Sequence, residues 1–226
     1  MHDELIDAVK RGDAAKVAAL LDADRSLLAA KSENISAILL ACYYGHPEMA
    51  RLFVERGAEL TFAEACAVGD APRALKLLEA NPDLVRSFSE DGFPGLGLAI
   101  FFRHPELARQ LIERGADVNA AARNAQRVAP VHAAAAVCDL VTMELLLERG
   151  ANPNARQQMG YAPLHSAASR GDIEMAKLLL RHGADPRAIT DDGKSVVDVA
   201  GKYEKPEFAE WFGSRSGDDK PSNVRK

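Results

Sequence analysis

Residues 160–185 read GYAPLHSAASRGDIEMAKLLLRHGAD and contain two short helical patterns separated by a glycine. Pro163 suits the first turn of a helix, because the N–H that proline lacks would have no helical partner there. Gly171 ends the first pattern, and Gly183 supplies a C-terminal cap for the second, since glycine tolerates a positive φ. A helix–turn–helix of this size cannot bury its own apolar face, so we expect it to stack on similar units.

The pattern recurs along the chain with a period near 33 residues. The residue between the two helices of each unit, called the interhelical position below, falls at Gly12, Gly45, Gly69, Arg103, Cys138, Gly171 and Glu204. The spacings are 33, 24, 34, 35, 33 and 33 residues, and an apolar pair follows each position, such as Leu179 and Leu180. Period, helix pair and turn chemistry together resemble the ankyrin repeat family, most clearly at 162–172 and 181–185.

The resemblance implies an all-α fold, an ankyrin-repeat solenoid of stacked helix-turn-helix units with short hairpin loops. We assign residues 1–212 to a single ankyrin-repeat domain. Residues 213–226 are polar without periodicity, and we interpret them as a flexible tail. The approximate units are 1–30, 31–61, 62–88, 89–121, 122–156, 157–189 and 190–212.

The spacing of 24 residues between the second and third interhelical positions is the main departure from the period. Only residues 58–61 separate the end of the second unit from Phe62, so about nine residues of the usual hairpin are missing. Thr61 and Glu64 have the spacing of a capping box, which would start the third inner helix. The sequence therefore predicts a gap in the row of hairpin fingers between units two and three.

The fourth unit carries a second departure. Gly95 and Gly97 lie inside its predicted first helix, where glycine costs roughly 0.5–1 kcal/mol relative to alanine. We therefore expect this helix to start late or to be locally soft.

Composition and charge exclude several classes of function. Acidic residues outnumber basic ones, 33 to 28, and the net charge of −5 argues against a nucleic-acid partner. No run approaches 18 apolar residues and the acidic N-terminal segment is unlike a signal peptide, so we expect no membrane partner. Three cysteines give no disulfide framework, which favours a cytoplasmic location.

The histidines invite a metal or catalytic interpretation, but their positions favour structural roles. His132 and His165 follow Pro-Val and Pro-Leu one repeat apart. The resemblance implies that they hydrogen-bond between neighbouring turns. His46 and His104 precede Pro-Glu, and we interpret them as partly exposed residues at helix starts. No metal-ligand or phosphate-binding motif occurs, so we predict no cofactor and no metal.

The cysteines offer little support for an enzyme. Cys42 and Cys66 occupy the same small-residue position of neighbouring units, where core packing is the simplest role and a disulfide is the alternative. Cys138 replaces an interhelical glycine and should be more exposed, but it has no accompanying His-and-acid arrangement. We predict that the protein is not an enzyme; a hydrolase that uses Cys138 or a His–carboxylate pair is the alternative.

Aromatic residues carry the functional prediction. The resemblance implies that the two residues before each interhelical position line the concave groove, and that one residue before each inner helix lies on the hairpin. Of the thirteen aromatic residues, seven fall in such positions: Tyr43, Tyr44, Phe93, Phe101, Phe102, Tyr161 and Tyr203. We predict a non-enzymatic protein–protein interaction module whose unidentified protein or peptide partner binds Tyr43, Tyr44, Phe93, Phe101, Phe102, Val68 and Ile35.

Two alternatives concern the same aromatic residues. Their rings could pack on one another or on the hairpin stems instead of meeting a partner. The protein could also be a structural one that self-associates through the aromatic patch; we expect a monomer, with a homodimer as the alternative.

Overall fold

The computed structural model describes residues 1–216, and the described chain is all-α apart from one small hairpin. Its strands, β1 (Lys31–Ser32) and β2 (Ile35–Ser36), pair antiparallel. The helices in chain order are α1 His2–Arg11, α2 Ala14–Ala23, α3 Ala37–Tyr43, α4 Pro47–Glu55, α5 Phe62–Val68, α6 Ala71–Ala80, α7 Gly95–Phe101, α8 Pro105–Glu113, α9 Pro130–Ala136, α10 Leu140–Glu148, α11 Pro163–Arg170, α12 Ile173–Arg181, α13 Val196–Lys202 and α14 Pro206–Ser216.

Consecutive helices form pairs, and the pairs belong to two compact units. The first unit comprises Met1–Asp117 with Ala122–Asn124, and the second comprises Val118–Ala121 with the chain from Ala125 onward. In the first unit the inner helices α1, α3, α5 and α7 contact one another in sequence; in the second, α11 lies between α9 and α13. Apolar side chains between inner and outer helices are fully buried, as at Phe53.

All seven interhelical positions have a left-handed backbone conformation, with φ between 55° and 81°. The three that are not glycine, Arg103, Cys138 and Glu204, have φ values of 64°, 56° and 55°. Left-handed φ is costly for residues with a Cβ. Its recurrence at these residues confirms that they occupy the same place in the repeat as the glycines.

The third repeat lacks a finger, as predicted. Thr61 caps α5, its side chain accepting from the Glu64 amide while the Glu64 side chain accepts from the Thr61 amide, so the expected capping box is confirmed. Short 3-10 helices at Arg25–Ala29 and Pro82–Arg86 follow the first and third outer helices in place of the usual turn.

The expectation of a late start for the fourth inner helix is wrong. Helix α7 begins at Gly95 itself and has seven residues, the same length as α5 and α9. A Cβ built at Gly95 would lie 2.6 Å from a ring carbon of Phe62. The glycine therefore lets the large ring at the start of α5 lie directly against α7.

The last helix, α14, continues to Ser216, beyond residue 212 where we placed the end of the repeats. The rest of the predicted tail, 217–226, lies outside the described residues. Phe208 and Phe212 on this helix are buried, as expected for core positions.

Candidate functional site

Four of the predicted partner-binding residues form one group of rings in the first unit, called the aromatic cluster below: Tyr43, Phe93, Phe101 and Phe102. The Tyr43 ring centroid lies 5.6 Å from that of Phe102 and 6.2 Å from that of Phe93. Phe101 and Phe102 meet edge to face at 5.2 Å. These tilted and edge-to-face contacts are favourable for aromatic quadrupoles. They join the end of α3, the finger before α7 and the end of α7.

A hydrogen bond ties the fourth finger to the second repeat. The Tyr43 hydroxyl donates to Asp91 Oδ2 at 2.7 Å, and burial together with this carboxylate raises the pKa of Tyr43. The Ser89 hydroxyl also donates to Asp91, whose backbone carbonyl accepts from Asn124 Nδ2 at 2.8 Å. The finger of repeat four therefore reaches past the third repeat, which has no finger of its own, and contacts α3.

Exposure separates the predicted aromatic residues into two groups. Tyr44 and Phe101 are 50% and 45% exposed, whereas Tyr43, Phe93 and Phe102 are half-buried. Tyr43, Phe93 and Phe102 thus follow the alternative given above, in which the rings pack on one another.

The two aliphatic residues of the prediction lie in different surroundings. Val68 is half-buried at the end of α5 and directly precedes the interhelical Gly69, the same repeat position as Tyr44 and Phe102. It lines a groove together with Leu60, His104 and several residues of α4, among them Val54. Ile35 is half-buried in strand β2 and pairs with a residue of β1. The structure thus brings the predicted residues together only in part.

A cavity of about 240 Å³ occupies the place of the missing finger and is called the finger-gap cavity below. It lies between residues 31–36 of the second finger, 61–64 at the start of α5 and 84–90 of the fourth finger. Lys31 Nζ lies 2.6 Å from Glu90 Oε1, so an ion pair joins the two fingers. The sequence predicted the gap between the fingers. It did not predict which residues line the cavity there, because they come from three separate parts of the chain.

Two histidines in the second unit are buried at the start of inner helices. His132 Nδ1 accepts from a backbone N–H at 3.1 Å, so Nε2 carries the proton and donates to the carbonyls of Ala155 and Tyr161, at 3.0 and 3.2 Å. This confirms the predicted role for His132, and burial lowers its pKa to about 4. His165 makes the same Nδ1 contact, and its buried Nε2 lies near the backbone acceptors of Ala188 and Lys194 without reaching full hydrogen-bond geometry with any residue of 1–216.

His46 and His104 lie at the starts of α4 and α8, as predicted. The His104 ring lies directly over the interhelical Gly69, and its Nε2 is 3.0 Å from the Ala67 carbonyl. The ring leaves no room for a side chain at residue 69, a restriction that the sequence analysis did not predict.

The cysteines lie where they were expected. Cys42 and Cys66 are buried and form no disulfide, so core packing is confirmed and the disulfide alternative is wrong. Burial, with a smaller effect of Glu64, raises the pKa of Cys42 to about 12. Cys138 is exposed.

Two kinds of feature are absent from residues 1–216. No group of three or more His, Cys, Asp or Glu side chains in this range could hold a metal ion. No helix in the same range is long and apolar enough to cross a membrane.

Comparison with known proteins identifies the repeats. A family model described as ankyrin repeats (3 copies) matches residues 5–122, one described as ankyrin repeats (many copies) matches 146–200, and one for a single ankyrin repeat matches 129–158. No curated protein matches the chain. Ankyrin repeats are generally protein–protein interaction modules and generally not enzymes. Since the first match covers more than half of the chain and coincides with stacked helix pairs, the protein belongs to the ankyrin repeat family.

Proposed function

We propose that this protein is a non-enzymatic interaction module whose protein or peptide partner binds the face formed by the C-terminal ends of α1, α3, α5 and α7. The exposure of Tyr44 and Phe101 carries the proposal, because these large rings lie at the C-terminal ends of the inner helices of the second and fourth repeats, one and two residues before the interhelical position. Exposed aromatic residues set on a regular scaffold are typical of interaction sites.

The other rings of the aromatic cluster hold the Phe101 ring in place. That ring rests edge to face on Phe102, which in turn lies 5.6 Å from Tyr43. A ring held in this way loses little conformational freedom when a partner covers it, and preorganisation of this kind increases affinity. The half-buried rings therefore contribute to binding by positioning Phe101, without themselves meeting the partner over most of their surface.

Basic side chains flank the two anchors. Arg11 and Arg103 are exposed at the ends of α1 and α7, and Lys10 Nζ lies 6.0 Å from the Tyr44 ring centroid. An aromatic centre with a charged rim is the usual arrangement of a protein interface. A partner with apolar side chains for the rings and carboxylates for the rim fits this face best.

Affinity capture followed by titration of the captured partner tests the proposal. Replacing both anchors, Tyr44→Ser with Phe101→Ser, should weaken binding by several hundred-fold, since each hot-spot side chain contributes about 2 kcal/mol, or about 30-fold. Tyr203→Ser is the matched control, because Tyr203 is also 46% exposed beside an interhelical position but lies in the last repeat. A double variant that binds like the wild type would contradict the assignment of this face.

A second copy of the chain is the other occupant to test. Sedimentation of the wild type and of Phe101→Asp at high concentration should give a monomer in both cases. A wild-type dimer that the aspartate abolishes would assign the aromatic patch to self-association.

We also propose a cytoplasmic location. The buried thiols Cys42 and Cys66 form no disulfide, as expected in a reducing compartment. Fractionation of cells that express the protein at its natural level tests this, and recovery from an oxidising compartment would contradict it.

A further inference from the structure

A carboxylate with one open oxygen lies at the floor of the finger-gap cavity. Glu64 is only 6% exposed, and its Oε2 accepts from both the amide and the hydroxyl of Thr61, each at 2.8 Å. Within residues 1–216, no group donates to Oε1, which nevertheless is not sealed from solvent. A buried carboxylate is costly unless donors satisfy it. The open oxygen therefore favours a ligand that brings its own N–H groups.

The walls of the cavity suit a planar cation. Phe62 and Phe88 line it, and the chain itself stacks a guanidinium on Phe88, with Arg123 Cζ 3.8 Å from the ring centroid. Glu90 at the rim adds a second carboxylate, which Lys31 partly neutralises at 2.6 Å. The charged side chains that line the cavity, Lys31, Glu64 and Glu90, sum to one net negative charge, and Phe88 adds an aromatic ring that already packs against one guanidinium.

We propose that the finger-gap cavity binds the guanidinium group of an arginine in an exposed segment of a partner protein. Arginine supplies several N–H donors for Glu64 and a flat cation that can pack on the part of the Phe88 ring that lines the cavity, whereas the ammonium of lysine is more strongly hydrated and is not planar. A chain segment fits because the space lies between two fingers where other repeats place a hairpin. The site does not depend on the Tyr44 and Phe101 anchors.

A short capped peptide, acetyl-Gly-Arg-Gly-amide, provides the probe. Titration into isotopically labelled full-length protein should shift amide signals around the cavity, at Ala63, Glu64 and Ser87, in a saturable way. The same peptide with citrulline in place of arginine keeps the shape but removes the charge. It should bind at least about tenfold more weakly, because hydrogen bonds between charged groups are the strong ones.

Glu64→Gln is the decisive variant. The glutamine oxygen can still accept from Thr61, so the start of α5 is kept while the negative charge is lost. We expect at least about tenfold weaker binding of the arginine peptide to this variant. Should the variant fail to fold, Glu90→Gln serves instead, since it leaves the Lys31 charge unopposed at the rim and should also weaken binding. Tyr44→Ser should leave binding unchanged, which separates this site from the proposed partner face.

Several results would overturn the proposal. These are equal binding of the citrulline and arginine peptides, undiminished binding to Glu64→Gln or Glu90→Gln, shifts that lie outside the cavity, and no shifts at millimolar peptide. Free L-arginine tests the source of the guanidinium. It should bind more weakly than the peptide, whose backbone can lie between the fingers; equal affinity would assign the cavity to small guanidinium compounds and not to a partner protein.

Discussion

Replacing Gly69 with alanine should destabilise the protein much more than the same change at Gly45. Both glycines are interhelical residues in the left-handed region, with φ of 76° and 81°. A Cβ at Gly69 would lie 2.4 Å from atoms of the His104 ring, whereas one at Gly45 would meet no heavy atom of the described residues within 4 Å. The pair therefore separates the cost of backbone conformation from the cost of a close contact.

The magnitudes follow from these contacts. Gly45→Ala should lower the free energy of unfolding by about 1 kcal/mol, the cost of a left-handed alanine. In Gly69→Ala the His104 ring must also move. It then loses its bond to the Ala67 carbonyl, about 1 kcal/mol, and its close packing, about 1–2 kcal/mol. The total for Gly69→Ala is about 3–4 kcal/mol.

Urea unfolding followed by far-UV circular dichroism measures both changes, and both positions lie in the first compact unit. In a His104→Ala background, Gly69→Ala should cost only about 1 kcal/mol, because the ring is gone. Gly12→Ala, whose Cβ would lie 2.6 Å from the His46 ring, should have an intermediate cost, because within residues 1–216 His46 makes no bond like that of His104 to the preceding repeat. Equal costs for Gly45→Ala and Gly69→Ala in the wild-type background would refute the steric explanation.

Three further changes follow from other contacts. Gly95→Ala should cost about 2 kcal/mol by overpacking against Phe62, and thermal denaturation of a Gly95→Ala, Phe62→Leu double variant should show costs that are clearly less than additive. Burial keeps His132 neutral, so as the pH falls from 6.5 to about 4 the unfolded chain takes up a proton before the folded chain does. The free energy of unfolding should therefore fall by about 2–3 kcal/mol over this window. Urea titrations at each pH should show a smaller fall for His132→Asn. Tyr43→Phe keeps the ring but removes the bond to Asp91, and urea unfolding should show a loss of about 1–2 kcal/mol; an unchanged midpoint would count against the tie between finger and helix.

The sequence predicts the interhelical positions well, because the period and the turn chemistry depend on local residues. It also contains a signal for the contact between a histidine ring and the interhelical glycine of the preceding repeat. In the repeat after Gly12, the residue that follows the interhelical position is His46, and in the repeat after Gly69 it is His104. In the repeat after Gly45 the same position holds Asp70. A ring in that place lies over the preceding glycine. The left-handed backbone alone accepts arginine, cysteine or glutamate, so the contact decides where glycine is needed.

The candidate site was less predictable, because it depends on how two remote fingers fill the space that a third one leaves. Repeat positions correctly indicated that Tyr44 and Phe101 would be exposed. They gave no sign that the Tyr43 hydroxyl would donate to Asp91, 48 residues away. With the third finger missing, the fourth finger contacts the second repeat through this bond and through the ion pair between Lys31 and Glu90. Lys31 and Glu90 both line the finger-gap cavity, so the short third repeat accounts both for the bond between the fourth finger and α3 and for the open space between the second and fourth fingers.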